Sequence, residues 1–196
     1  MTKLVIDSEY WQYCPDYYPK PERTFQRLYD EIKDMCQQYM IHVFSQDFPS
    51  RRISAVFTDD TKRMISGYPD YARIPTFTWD ESKRVSKIKK IAEAYNGDTF
   101  AYALVHIYRD GTDVIGWHND REALDTPVLS LSFGATRKFR IREMGEKKGW
   151  LEELELGPGS LVYMKPRMQR MYKHCVPQQK LVKGPRINLT FRKWQN

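Results

Sequence analysis

The chain has 196 residues, which suits one domain of ordinary size and excludes a fusion of two enzymes. Hydrophobic residues form 41% of the chain and aromatic residues 14%, which excludes a disordered or fibrous protein. Every apolar run is far shorter than the roughly 20 residues that a membrane-spanning helix needs. The 32 basic residues against 25 acidic ones give a net charge of +7, which favours a polyanionic partner such as nucleic acid.

The first part of the chain predicts an arm followed by a helix. Residues 1–22 are rich in tyrosine and proline, which is typical of an irregular arm. Beyond them, apolar residues recur at helical spacing and predict an amphipathic helix. These residues are Phe25, Leu28, Ile32, Met35 and Tyr39.

Residues 43–80 are less regular, and a second helix follows them. The stretch R-R-I-S-A-V-F-T resembles a strand among many turn-forming residues, so we expect a strand pair and a long surface loop. The second helix is predicted from its acidic start at Asp80 and Glu81 and its stop at Asn96-Gly97. Its basic residues can contact phosphates, but a solvated outer face explains them more simply. They are Lys83, Arg84, Lys87, Lys89 and Lys90.

From Thr99 onward the chain consists of short β-rich segments separated by glycine and proline, the pattern of a barrel or sandwich. The segments are F-A-Y-A-L-V-H-I-Y, D-V-I-G-W-H, P-V-L-S-L-S-F, K-F-R-I-R, L-E-E-L-E-L, S-L-V-Y-M, Y-K-H-C-V and R-I-N-L-T-F-R. Their number suits a double-sheet jelly roll, also called a double-stranded β-helix, over residues 99–196. The predicted class is α+β, one domain overall, in which the helices of residues 23–98 buttress one sheet.

Two histidines and an aspartate suggest a metal site. His118 and Asp120 are two residues apart, and side chains at that spacing in an extended segment point to the same face. His174 lies at the end of another strand-like segment. Two imidazoles and one carboxylate on one face of a metal suit non-haem Fe(II), and zinc accepts similar ligands. A surface histidine beside a charge is the ordinary alternative.

The last predicted strand places four polar residues on one face, because side chains alternate along a strand. These residues are Arg186, Asn188, Thr190 and Arg192. Two inward arginines are costly unless they meet an anion, and a dicarboxylate would satisfy both. A strand with one apolar face and one wet face explains the same alternation.

These residues together resemble the AlkB-like Fe(II)- and 2-oxoglutarate-dependent dioxygenases, nearest to their nucleic-acid demethylase branch. The resemblance covers about residue 51 to the C terminus. The matching stretches are Y-R-D-G-T-D-V-I-G-W-H-N-D-R-E, P-V-L-S-L-S-F-G-A-T-R-K-F-R-I-R, G-P-G-S-L-V-Y-M, Gln169 with His174, and R-I-N-L-T-F-R.

The resemblance implies Fe(II) bound by His118, Asp120 and His174, which would be the catalytic centre. It also implies a set of residues that bind the co-substrate 2-oxoglutarate, with one arginine at each end of it. That set is Tyr108, Arg186, Asn188, Thr190, Arg192 and His106, the last standing where the family usually has asparagine.

The resemblance further implies a nucleotide-recognition lid within residues 23–98. The family's aromatic residue in the lid is replaced here by Ile65, next to Arg63, so base stacking would be weaker. Arginines at the position of Arg51 and Arg52 approach phosphates in the resembling branch, although a solvated pair is nearly as good an interpretation. Arg121 and Glu122 follow the metal motif, and Glu122 is a candidate acceptor for an exocyclic amine of the base.

The implied reaction is oxidative demethylation of N-alkylated bases in DNA or RNA, of the 1-methyladenine and 3-methylcytosine type. It uses Fe(II), O2 and 2-oxoglutarate and releases succinate, CO2 and formaldehyde. The substrate is expected as a single strand or with the base flipped out. A protein or small-molecule hydroxylase built on the same metal site is the alternative. DNA and RNA are not distinguished, because the 2′-hydroxyl contact cannot be read from this sequence.

The cysteines and the N-terminal sequence indicate the compartment. The three cysteines, Cys14, Cys36 and Cys175, are widely spaced without a C-x-x-C pair, so we expect reduced thiols. No signal-peptide pattern is visible. We therefore expect a soluble, monomeric protein of the cytoplasm or nucleus, with no membrane partner.

Overall fold

The computed structural model describes residues 6–43, 45–62 and 74–194 of the chain. In this described part, thirteen strands form two sheets. In chain order they are β1 (Ile6–Asp7), β2 (Trp11–Cys14), β3 (Gln37–Val43), β4 (Gln46–Thr58), β5 (Thr76–Phe77), β6 (Tyr102–Tyr108), β7 (Ile115–His118), β8 (Val128–Gly134), β9 (Arg137–Glu143), β10 (Glu152–Leu156), β11 (Leu161–Met164), β12 (Tyr172–Val176) and β13 (Arg186–Arg192). All eight β segments predicted after residue 99 are confirmed.

The two sheets have the jelly-roll arrangement that the sequence predicted. The main sheet runs β1-β2-β11-β8-β13-β6-β4-β3, with β5 beside β4, and the smaller sheet runs β10-β9-β12-β7. Neighbouring strands are antiparallel except β4 and β5. One apolar cluster fills the space between the sheets and includes Val128 and Met164 of the main sheet and Phe139 and Ile141 of the smaller one.

In the same described part of the chain, three helices accompany the sheets: α1 (Pro21–Ile32), α2 (Lys83–Asn96) and the short α3 (Met168–Met171). Short 3-10 turns lie at Trp79–Glu81 and Arg121–Ala123. The second helix is confirmed together with its stop at Asn96-Gly97, but its predicted acidic start is wrong, because Asp80 and Glu81 lie in a separate 3-10 turn and α2 begins at Lys83. The Ser82 side chain accepts from the Val85 N–H at its start, and Gly97 ends it with φ of 73°, a left-handed conformation that glycine adopts without strain.

The helices α1 and α2 cover the outer face of the main sheet. Their buried residues share one apolar cluster with alternate residues of the central strands. Along β13, for example, Ile187, Leu189 and Phe191 point to this cluster, so the polar residues between them face the space between the sheets. Within the described residues, no helix is both long and apolar enough to cross a membrane.

The structure corrects the predicted end of the first helix. The helix stops at Ile32, and Tyr39 belongs to β3, which pairs with β4. The spacing that predicted a longer helix includes Tyr39, which also fits the alternation of a strand. Pairing with β4 selects the strand, because Tyr, Met, Ile and Val suit a half-buried pleated surface.

The predicted segment boundaries also change. Residues 1–22 were predicted as an irregular arm, but β2 lies within them and pairs with β11 along four residues of the main sheet. The main sheet likewise includes β3, β4 and β5, so it extends beyond the predicted core of residues 99–196. These strands were not assigned to the sheet because a short strand is stabilised mainly by pairing with a strand far away in the sequence, which local sequence pattern does not reveal. The predicted lid residues Arg63 and Ile65 lie outside the described residues.

Candidate metal centre and co-substrate site

Three side chains able to bind a metal converge where β7 pairs with β12. His118 ends β7, Asp120 follows it, and His174 lies opposite His118 in the strand register. Their ligand atoms all lie within 4.8 Å of one another, and His118 Nε2 is 3.7 Å from Asp120 Oδ1. Asp120 and His174 are buried between the sheets. The structure thus brings together the three residues that the sequence predicted as metal ligands.

The protonation states of this triad suit a metal. Burial lowers the pKa of His118, and burial together with the neighbouring His118 lowers the pKa of His174 to about 3. Burial by itself raises the pKa of Asp120, but Arg192 and the two imidazoles outweigh it and bring that pKa to about 2. Two neutral imidazoles and one carboxylate are therefore available at neutral pH. This donor set fits the facial triad of non-haem Fe(II) sites, and zinc also accepts these ligand types.

Hydrogen bonds orient two of the three ligands. His118 Nδ1–H donates to the Gly116 carbonyl oxygen at 2.9 Å, so Nε2 keeps its lone pair for a metal. The Asp120 N–H donates to Gln169 Oε1 at 2.9 Å, and the Asn119 side chain donates to the Gln169 carbonyl oxygen at 2.8 Å. Gln169, in α3, therefore fixes the turn that carries Asp120.

Arg186 provides an open anion site beside the triad. Its side chain is 1% exposed, and Nη2 donates to Ser132 Oγ at 3.0 Å. Nε and Nη1 have no hydrogen-bond acceptor among the described residues. Burial lowers the pKa of Arg186 to about 10, so the guanidinium is charged at neutral pH. A buried cation with open N–H groups is costly, and a carboxylate bound at the Nη1–Nη2 edge of the guanidinium would reduce that cost.

Arg192 lies at the metal end of the same strand face. Its Nη2 is 3.0 Å from Asp120 Oδ2, and its Nε is 3.3 Å from Glu122 Oε1. Thr190 Oγ1 accepts from Arg192 Nη1 at 2.8 Å and donates to the Leu104 carbonyl oxygen at 3.2 Å. Thr190 therefore orients Arg192, and the Thr190 hydroxyl makes both of these hydrogen bonds within the protein. Burial raises the pKa of Glu122 to about 7, although Arg192 partly offsets this effect.

The remaining predicted co-substrate residues line the same cavity between the sheets. Tyr108 faces Arg186 across the β6–β13 register, and its ring centroid lies 5.1 Å from the guanidinium carbon. The Asn188 amide donates to Ser130 Oγ and to the Leu131 carbonyl oxygen. His106 is buried opposite Asn188, with Nδ1 2.7 Å from Ser54 Oγ. Burial, and then Arg52 and Arg192, lower its pKa, so His106 is neutral.

The predicted substrate residues divide into two groups. Arg51 and Arg121 are exposed. Arg52 is buried, and its Nη2 donates to the Tyr39 hydroxyl at 2.9 Å. This placement does not suit the predicted contact of Arg52 with a phosphate at the surface, because the alternation of β4 turns its side chain inward. Glu122 is buried beside Arg192, so it is not an ordinary surface glutamate.

Several residues of the site were missed or left without a role by sequence reasoning. Phe139 stacks on His174 with ring centroids 5.2 Å apart, and Tyr39 and Ser54 contact Arg52 and His106. The alternation of β9 marks Phe139 as inward, but only the pairing of β12 with β9 places it against His174. Tyr39 was hidden by the helical interpretation of its segment.

Comparison with known proteins identifies the family. The family model described as the 2OG-Fe(II) oxygenase superfamily matches residues 13–192. This chain belongs to that superfamily. Within it the chain is AlkB-like, as the sequence motifs indicated. The family description implies Fe(II) and 2-oxoglutarate, which the triad and the open guanidinium fit.

Two relatives and one solved structure define the similarity further. The DNA oxidative demethylase ALKBH2 of Mus musculus is 42% identical over 106 residues, covering 50% of this chain and 44% of that protein. The alpha-ketoglutarate-dependent dioxygenase alkB homolog 3 of Homo sapiens is 32% identical over 186 residues, covering 84% and 64%. The chain thus spans less than two thirds of the length of these curated relatives. A solved structure of OsALKBH1 has a TM-score of 0.63 at 16% identity, covers 97% of this chain and 100% of its own, and shares the fold.

Proposed function

We propose that this protein is an oxidative demethylase of N-alkylated bases in DNA or RNA. The observation that carries the proposal is the triad of His118, Asp120 and His174 with a charged, open guanidinium beside it. A metal that keeps free positions next to a carboxylate-binding arginine is what a 2-oxoglutarate-dependent oxygenase needs.

Each buried polar residue has a definable task in this reaction. His118, Asp120 and His174 would hold Fe(II), and Arg186 would bind one carboxylate of 2-oxoglutarate at the edge formed by Nη1 and Nη2. Arg192 keeps Asp120 ionised and fixes its orientation. Bound Fe(II) and 2-oxoglutarate supply the O2-dependent oxidation, in which one N-methyl group leaves as formaldehyde while 2-oxoglutarate becomes succinate and CO2.

The similar proteins favour a methylated nucleic acid as substrate, because ALKBH2 is described as a DNA oxidative demethylase. A base inside a duplex cannot reach a buried metal, so the substrate is a single strand or a flipped-out nucleotide. We propose that Glu122, which pairs with Arg192, accepts a hydrogen bond from the exocyclic amine of 1-methyladenine or 3-methylcytosine. We propose that the protein acts as a monomer in the cytoplasm or nucleus.

The test measures formaldehyde and succinate release from oligonucleotides that carry 1-methyladenine or 3-methylcytosine, made as DNA and as RNA. We expect both products in equal amounts from at least one of the four substrates. No turnover on any of them, with metal and 2-oxoglutarate bound, would refute the demethylase proposal.

A variant separates the metal assignment from the reaction. His118→Ala should lose turnover and bind Mn(II), used in place of Fe(II), more weakly, while its circular dichroism spectrum stays that of the wild type. Unchanged Mn(II) affinity in His118→Ala would show that the metal is held elsewhere.

A further inference from the structure

A basic groove lies between α1 and α2, away from the metal centre. It has a volume of about 480 Å³, and Tyr18 and Ile91 form part of its apolar lining. Among the described residues, no acidic side chain lines it, whereas five cationic ones do: Lys20, Arg23, Arg27, Arg84 and Lys87. A concave surface with a single sign of charge attracts anions more strongly than scattered surface charges do.

Most of these cations have no carboxylate partner. Arg84 pairs with Glu31 at 3.1 Å, which leaves the other four. Across residues 6–43, 45–62 and 74–194, no carboxylate forms an ion pair with any of those four, and all of them are exposed. Arg23 and Arg27 are one helical turn apart, roughly 6 Å along the axis of α1. Cations therefore follow one another along α1, and Arg84 and Lys87 do so along α2, which suits a chain of phosphates better than a single ion.

The main sheet separates this groove from the site described above. Leu28 of α1 and Ile88 of α2 pack on the outer face of the sheet, together with Leu189 of β13. The neighbouring residues of β13, Asn188 and Thr190, face the cavity on the inner side. A ligand in the groove is thus out of reach of the metal, so the groove has no part in the chemical step.

We infer that the α1–α2 groove binds the phosphate backbone of the nucleic-acid strand, outside the nucleotide that enters the metal centre. The inference rests on the proposed function for the identity of its ligand. Arginine binds phosphate oxygens through two parallel N–H groups, which favours Arg23 and Arg27 as the main contacts. The groove would raise the affinity for long strands and leave the reaction of short ones unchanged.

The test compares two oligonucleotides that carry the same methylated base. One has about 5 nucleotides, and the other has about 30, enough to pass around a domain whose radius of gyration is roughly 16 Å. The groove variant is Arg23→Gln/Arg27→Gln/Lys87→Gln. The control variant, Lys33→Gln/Lys83→Gln/Lys90→Gln, removes the same charge from exposed residues of the same region that do not line the groove.

We expect the groove variant to bind the long strand more weakly and to process the short one at the wild-type rate. The salt slope is the steepness with which the logarithm of the affinity falls with the logarithm of the salt concentration, and the loss of three phosphate contacts lowers it by about 2 for a single strand. Between roughly 50 and 200 mM salt, the affinity of the wild type should therefore fall about 20-fold more than the affinity of the variant. The control variant should keep the wild-type slope. Hydrogen exchange should show that the long strand protects residues 20–27 and 84–91.

The outcomes distinguish this inference from the proposed function. If the groove and control variants behave alike on the long strand, the inference is wrong even when turnover is normal. If the groove variant loses as much affinity for poly-glutamate of equal charge, or for pyrophosphate, the ligand is not a nucleic-acid strand and the inference is also wrong. Binding of the long strand that depends on the groove, without turnover of either oligonucleotide, would support the groove and refute the demethylase.

Discussion

Replacing Arg186 by methionine should remove co-substrate binding without harming the fold. The buried guanidinium donates to Ser132 and interacts with the Tyr108 side chain, while Nε and Nη1 have no hydrogen-bond acceptor among the described residues. Methionine has a similar length and no charge to desolvate. Substituting an incompletely satisfied buried ion by an apolar residue of similar volume is often neutral or stabilising.

The magnitude follows from the two hydrogen bonds that a carboxylate would accept from the Nη1–Nη2 edge of Arg186. A hydrogen bond to a charged group contributes about 1.5–3 kcal/mol, so two of them contribute about 3–6 kcal/mol. At about 1.4 kcal/mol for each tenfold change, the affinity for 2-oxoglutarate should fall by roughly 100-fold to 10,000-fold. Arg186→Lys, which keeps the charge but loses the planar fork, should lie between the wild type and Arg186→Met.

The assay is anaerobic calorimetric titration of 2-oxoglutarate into the Mn(II)-loaded protein, together with urea denaturation of the metal-free protein. Arg142→Met is the matched control, because Arg142 packs over Trp117 and does not line the cavity. An affinity of Arg186→Met within about twofold of the wild type would refute the carboxylate assignment, since a factor of two is under 0.5 kcal/mol. A loss of folding in Arg186→Met would refute the argument about stability.

Three further predictions concern residues around the site and in the core. Gln169→Ala should lower Mn(II) affinity by about 10-fold to 100-fold, because its Oε1 orients Asp120; unchanged affinity would contradict that role. Arg137→Met should lower the free energy of unfolding by at least about 3 kcal/mol, because Arg137 donates to three backbone carbonyl oxygens and a buried carbonyl without a donor is costly. Urea denaturation measures this loss, and the control is Arg140→Met, an outward-facing substitution that should cost about 1 kcal/mol. Burial, aided by Asp98, raises the pKa of Tyr163 to about 12 in the folded protein, compared with about 10 in the unfolded chain. The contribution of Tyr163 to stability is therefore complete below about pH 10 and is lost as the pH rises towards about 12. Tyr163→Phe should flatten the pH dependence of the free energy of unfolding over that range, and an unchanged pH dependence would contradict the assignment.

Local sequence pattern was sufficient to predict the structure where a feature depends on a single strand or helix. The alternation in β13 assigns Arg186 and Arg192 to one face and Leu189 to the other, and the structure has the same arrangement. The helix from Lys83 to Asn96 carries its own stop signal at Gly97, so its C-terminal end was predictable.

Prediction from the sequence pattern was wrong or incomplete where pairing between two distant segments determines the structure. Tyr39 fits a helix by its spacing and a strand by its alternation, and only pairing with β4 selects the strand. Arg52 has the same chemistry as its exposed neighbour Arg51, but the face of β4 that points inward depends on the sheet. The sequence therefore left both residues with a wrong or incomplete role.

The sequence by itself determined the family, the residue types of the metal triad and the charge available for a polyanion, because these depend on which side chains recur at short spacing. Only the tertiary structure decided that His118 meets His174, that Arg186 keeps two open N–H groups, and that five cations line one groove on the far side of the sheet. Those facts depend on strand register and burial, which arise when segments far apart in the chain pack together.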